Sequence, residues 1–121
     1  MKKWMLALVA VAMLSLFAAN RYEKPKTVIH VVTVKWKPGT TPEQIKAAVK
    51  GVEKVAFEYS GIKNIWTETL KVQGEGYQNA FVMEFKDKAS FDAYTDSPAQ
   101  KAWYEVYLPI RAQSTTHDIT N

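Results

Sequence analysis

The sequence predicts an α+β domain: one β-sheet with helices packed on a single face. Three observations carry this. A β-branched alternation over Val28–Trp36 predicts a strand. Two Pro-headed segments, Thr41-Pro42-Glu43-Gln44 and Ser97-Pro98-Ala99-Gln100, predict helix starts. Apolar runs around Ile65 and Phe81, separated by Gln73-Gly74-Glu75-Gly76, predict two more strands joined by a turn. The composition agrees. Of 121 residues, 47% are hydrophobic and 23% charged, which excludes wholesale disorder and a multi-span membrane protein. There is no cysteine. That excludes a disulfide framework, a thiolate zinc site, an iron–sulfur cluster, a Cys nucleophile and a lipid-bearing Cys.

The first element is expected to serve export. Lys2-Lys3 precedes sixteen uncharged residues, Trp4 to Ala19, which end in small residues. This order reads as a signal peptide over 1–19. The run falls short of the about 20 apolar residues of a permanent span. Its cleavage site is imperfect, with Leu16 or Phe17 at the −3 position, so an uncleaved anchor is the alternative. Either way the domain is expected outside the cytosol, periplasmic or extracellular, where a chain without cysteine loses nothing. Without Lys2 and Lys3, fourteen basic residues face twelve acidic ones, a net charge of +2. So mild a charge gives no reason to expect nucleic acid as a partner.

Residues 20–27 read as a polar linker, and 28–121 as the folded domain. In the first strand Val28, His30, Val32, Val34 and Trp36 share one face; Ile29, Val31, Thr33 and Lys35 share the other. Both faces are apolar near the start, as for a strand inside a layered structure. Pro38-Gly39 ends it. A helix then runs to about Glu58, with Ile45, Val49, Val52, Val55 and Ala56 on its apolar face. A second strand is expected over Ile62–Val72 and a third over Tyr77–Phe85. A short helix follows over Asp87–Asp96, then the helix begun at Ser97 and closed by Pro109. Ala112–Thr120 is a weak strand candidate with few apolar residues. The order strand, helix, strand, strand, broken helix, strand is the ferredoxin-like βαββαβ plan. Ile29, Val31, Trp66 and Leu70 would line the sheet face without helices. A second copy of the chain is the economical cover, giving a two-fold homodimer.

The stretch His30-Val31-Val32-Thr33-Val34-Lys35-Trp36-Lys37-Pro38-Gly39-Thr40 resembles the opening of the stress-responsive dimeric α/β-barrel (Dabb) domain family. The similarity continues through Ser60-Gly61-Ile62-Lys63, Gly76-Tyr77, Tyr94, Ser97-Pro98-Ala99 and Trp103. The resemblance implies a homodimeric barrel related to plant stress-response proteins and to polyketide cyclases of the olivetolic-acid type. Those cyclases use a first-strand histidine, a third-strand histidine, and a tyrosine and histidine around the last helix start. Carried over, the first position is His30 and the tyrosine is Tyr94, the two candidate catalytic residues. The third-strand position is Asn79 and the last is Gln100. Asn and Gln hydrogen-bond but do not exchange protons near neutral pH, as imidazole does. The expected function is therefore binding of a small apolar or aromatic molecule in a pocket between sheet and helices. His30, Val32, Val34, Asn79, Phe81, Tyr94, Gln100 and Trp103 are the candidate ligand contacts. A lyase or cyclase with His30 as sole base is one alternative. A haem or quinol monooxygenase is another, and a purely structural dimer a third.

Other motifs carry less. His117 and Asp118 are strand neighbours that point to opposite faces, and with only His30 besides, no metal site and no cofactor are expected. Gly74-Glu75-Gly76 leads into a strand, not a helix, which argues against a phosphate loop. Lys46, Lys50 and Lys54 have acidic neighbours and read as a solvated helix face.

Overall fold

The computed structural model describes residues 21–121. The segment expected to direct export lies outside the described residues. Among the described residues no helix is long and apolar enough to cross a membrane. The elements are β1 (Val28–Trp36), α1 (Pro42–Glu58), β2 (Ile62–Trp66), β3 (Asn79–Phe85), α2 (Lys88–Tyr94), α3 (Pro98–Tyr107) and β4 (Arg111–Ile119). The four strands form one antiparallel sheet in the order β2-β3-β1-β4. This is the ferredoxin-like α+β arrangement, with the helices on one face.

Strand β1 spans the residues its alternation predicts, and it lies inside the sheet. Val28, Val32, Val34 and Trp36 are buried under the helices, facing Phe81, Met83 and Phe85 of β3. Helix α1 begins on a complete capping box: the Gln44 N–H donates to Thr41 Oγ1, and the Thr41 N–H donates to Gln44 Oε1. Its Ala48, Val52 and Val55 close the core. Helix α3 has only half a box. The Gln100 N–H donates to Ser97 Oγ, but Gln100 Oε1 accepts from the Asp96 N–H, one residue earlier than the box requires. Asp96 stands at φ 68°, a left-handed conformation that turns its N–H toward Gln100.

The strands differ from expectation in length. β2 ends at Trp66 instead of Val72. Thr69 Oγ1 accepts from the Ala80 N–H and donates to the Ala80 carbonyl, so a side chain takes the place of the ladder there. β3 starts at Asn79 instead of Tyr77. Leu70, expected on the sheet face, lies beyond β2 and is 96% exposed. The weak candidate near the C-terminus is a full strand: β4 pairs with β1 from Ile29↔Ile119 to Trp36↔Arg111.

The register shifts once, between Lys35 and Trp36. Gln113 stands opposite Lys35 and Arg111 opposite Trp36, so Ala112 is the extra residue of a β-bulge. The open face of the sheet carries Ile29, Val31, Val82, Trp66 and Ile119, the last two more than half exposed. Glu84 also lies there, yet is buried. Asn64 Nδ2 and Thr27 Oγ1 donate to its two oxygens at 2.6 and 2.7 Å, which holds its carboxyl below the usual range.

Candidate functional site

His30 sits near the start of β1 on its helix-facing side, across from Met83 on one side and Asp118 on the other. Its Nδ1 lies 2.5 Å from Asp118 Oδ1. A carboxylate only accepts, so Nδ1 carries the proton and Nε2 is the nitrogen left for a ligand. Phe85 meets the imidazole edge-on at 6.3 Å, and Phe91 of α2 tilts over it at 5.9 Å. The ring is thus held by one hydrogen bond and two aromatic walls. Its neighbour along β4, His117, stands opposite Val31 on the open face, as strand alternation requires.

Beside His30, between the sheet and α3, lies a cavity of about 70 Å3. Aromatic side chains fill the space around it. Trp103 and Tyr107 stack with centroids 4.3 Å apart and planes 6° from parallel, and Phe81 meets both edge-on. The Trp103 Nε1–H donates to the Ala48 carbonyl, which ties α3 to α1. That volume equals the share of about two water molecules in the liquid, at roughly 30 Å3 each. In the single chain it admits the head of a small molecule, not a whole aromatic one.

Of the expected contacts, His30, Val32, Phe81, Tyr94 and Trp103 meet at this cavity. Three do not. Val34 is fully buried in the core. Asn79 accepts from Trp36 Nε1–H at 2.8 Å and faces a separate open groove of about 740 Å3 beside Ile45 and Val49 of α1. Gln100 is spent on the Asp96 N–H and on the Tyr104 hydroxyl, to which its Nε2 donates.

Five further residues line the cavity without having been singled out from the sequence: Tyr104, Tyr107, Arg111, Ser114 and Thr116. Three come from β4, the strand with the weakest sequence signal. Tyr94 and Tyr107 are nearly fully buried, and neither hydroxyl is in hydrogen-bonding geometry with a partner among the described residues. Burial raises both above the ordinary phenol value; Gln100 beside the Tyr94 hydroxyl, and Arg111 and Ser114 beside that of Tyr107, pull back against that rise. Both therefore stay protonated near neutral pH and can donate. Among the described residues no group of three or more His, Asp or Glu could hold a metal ion.

A strand-borne imidazole held by a carboxylate thus stands beside two buried tyrosine hydroxyls, between the sheet and the helices of an α+β domain. The family is plain: residues 28–121 match the stress responsive A/B barrel domain, Dabb, and the chain belongs to that family. No curated protein matches it closely. Its fold is similar to that of a dimeric ferredoxin-like protein of unknown function from Thermobifida fusca. Identity there is 21%, over 84% of this chain and 97% of that one, with a TM-score of 0.68. It is also similar to the hydroxynitrile lyase of Passiflora edulis, at 18% identity over 78% and 93% of the two chains, with a TM-score of 0.69. SnoaB, a cofactor-independent oxygenase of Streptomyces nogalater, shares 10% identity over 79% and 93%, with a TM-score of 0.63.

Proposed function

We propose that this protein is an exported, homodimeric stress-response domain that binds the head of a small molecule in the cavity beside His30. The observation that carries this reading is the convergence of the His30–Asp118 pair and two buried, unpartnered tyrosine hydroxyls on one cavity. Buried donors without partners are rare in native proteins, because each forfeits its hydrogen bond to water. A ligand oxygen would supply what Tyr94 and Tyr107 lack. Titration with a panel of neutral and acidic small aromatics tests this, followed through the NMR signals of His30 and Tyr107. Saturable shifts at both support it; a panel that moves neither sinks it.

The homodimer is supported by the apolar open face of the sheet and by dimeric neighbours of the same fold. Sedimentation should give a dimer at micromolar concentration and a folded monomer for Trp66→Glu. A wild-type monomer would contradict it. Export is supported by the charge and apolar pattern of residues 1–19, and recovery of the full-length chain from the cytosol alone would refute it.

A second reading, a lyase or cyclase, is favoured by the His–carboxylate pair in particular. In it, His30 Nε2 takes a proton from the substrate, and Asp118 stabilises the imidazolium. The Tyr94 and Tyr107 hydroxyls donate to the oxygen on which charge develops. His30→Ala should then slow turnover of a polyketide-like substrate by about 100- to 10,000-fold while the fold persists. A haem macrocycle does not fit a cavity of about 70 Å3, so that reading draws no support from this geometry.

A further inference from the structure

The β4 wall of the cavity has a chemistry that strand alternation does not foretell. Ser114, Thr116 and Asp118 stand opposite Val34, Val32 and His30, and so face the helices. By parity Arg111 should face the other way. The bulge at Ala112 reverses this and sets Arg111 opposite the buried Trp36, on the cavity side. There the guanidinium lies over the Tyr107 ring, 5.3 Å from its centroid. No carboxylate lies within ion-pair distance of it among the described residues. Asp118, the acidic residue on this face of β4, is taken by His30.

We propose that Arg111 is an anion-recognition residue and that the cavity takes the carboxylate of a small organic acid. This rests on the ligand-binding reading above and names its ligand class. A guanidinium offers a planar fork of N–H donors that matches a carboxylate. With it, Ser114, Thr116 and the buried hydroxyls of Tyr94 and Tyr107, all able to donate, line the cavity, and among the described residues no acidic side chain does, Asp118 being engaged by His30. The volume matches a carboxylate head, with the rest of the molecule outside. The body is expected to be apolar, because Phe81, Trp103 and Val32 complete the walls.

The test is calorimetric titration of the full protein with benzoate, benzamide and inorganic phosphate at low salt. NMR locates the site, and the variants are Arg111→Gln and Arg111→Lys. Benzoate is expected to bind at least about tenfold more tightly than benzamide, which has the same shape without the charge. Arg111→Gln should lose about tenfold or more, and Arg111→Lys part of that, with unchanged thermal unfolding. Equal binding of benzoate and benzamide at the cavity overturns the anion assignment and leaves ligand binding standing. Phosphate binding as tight as benzoate overturns the organic acid. Absence of any binding overturns both readings. The wild-type comparison of benzoate with benzamide decides the matter even if the Arg111 variants fold poorly.

Discussion

Strand β1 has two antiparallel neighbours, and they treat its inner face in opposite ways. Across from Val28, His30 and Val32, strand β3 sets Phe85, Met83 and Phe81, each at 2% exposure or less. Across from His30, Val32 and Val34, strand β4 sets Asp118, Thr116 and Ser114. The β3 side is a dry aromatic core; the β4 side encloses a cavity lined by hydroxyls and a guanidinium. Position explains the difference. β3 is an inner strand, where an unpaired polar group would lose water without compensation. β4 is an edge strand near solvent, where hydroxyls and charges stay partly hydrated. Stability is concentrated on one side of β1, and the polar groups a ligand needs are gathered on the other.

The largest expected effect comes from breaking the β3 side. Phe85→Ala removes a fully buried ring in contact with His30, Tyr59, Phe91 and Tyr94. It should destabilise the fold by about 3–5 kcal/mol in urea unfolding. A loss below about 1 kcal/mol would mean that the two sides are alike. Tyr107→Phe acts on the β4 side and removes a hydroxyl that has no partner. It should leave stability unchanged or raise it by about 1 kcal/mol, because an unsatisfied buried group is deleted. A loss of the same size would show that the hydroxyl is already engaged.

Smaller still is Asp118→Asn. The pair is partly exposed, with side-chain accessibilities of 19% and 41%, so its removal should cost less than about 1 kcal/mol. The sharper readout is the imidazole tautomer. Nitrogen NMR should show the Nδ1–H form dominant in the wild type and a mixture in the variant. A wild-type ring protonated mainly at Nε2 would break the orienting role given to Asp118.

The last prediction concerns pH and the open face. The Asn64 and Thr27 hydrogen bonds hold the Glu84 carboxyl below its ordinary value of 4.5. A depressed folded value means that the unfolded chain binds the proton first as pH falls. This stabilisation is therefore fully present above about pH 4.5 and fades as pH drops through the lower folded value. Glu84→Gln should flatten the acid limb of the stability curve. An unchanged limb would show that Glu84 does not contribute to it.

Legibility followed the same division. β1, α1 and α3 are close to their expected bounds because each carries a strong local signal: alternation, a capping residue, or an apolar stripe. β2 was expected too long because Thr67–Val72 keeps strand-like composition after the ladder has ended. β4 looked weak because an edge strand needs few apolar residues once β1 supplies its hydrogen bonds. Asp118 could not be matched to His30 from periodicity, because the two stand 88 residues apart and only the register joins them. An ionisable residue near the start of the first strand and another near the end of the last are the available signal. For Arg111 there was none, since a bulge is not written in the alternation it interrupts.

The sequence by itself determined the order of elements, the inner face of β1 and the resemblance to the family, which in turn implies His30 and Tyr94 as candidates. All of these are local patterns or their succession along the chain. The tertiary structure alone decided that His30 is held by Asp118, that Asn79 and Gln100 are engaged elsewhere, and that Arg111 turns inward. The physical reason is common to all three. A side chain's partner is set by strand register and bulges, and these are fixed when distant segments pair, not by the residues beside it.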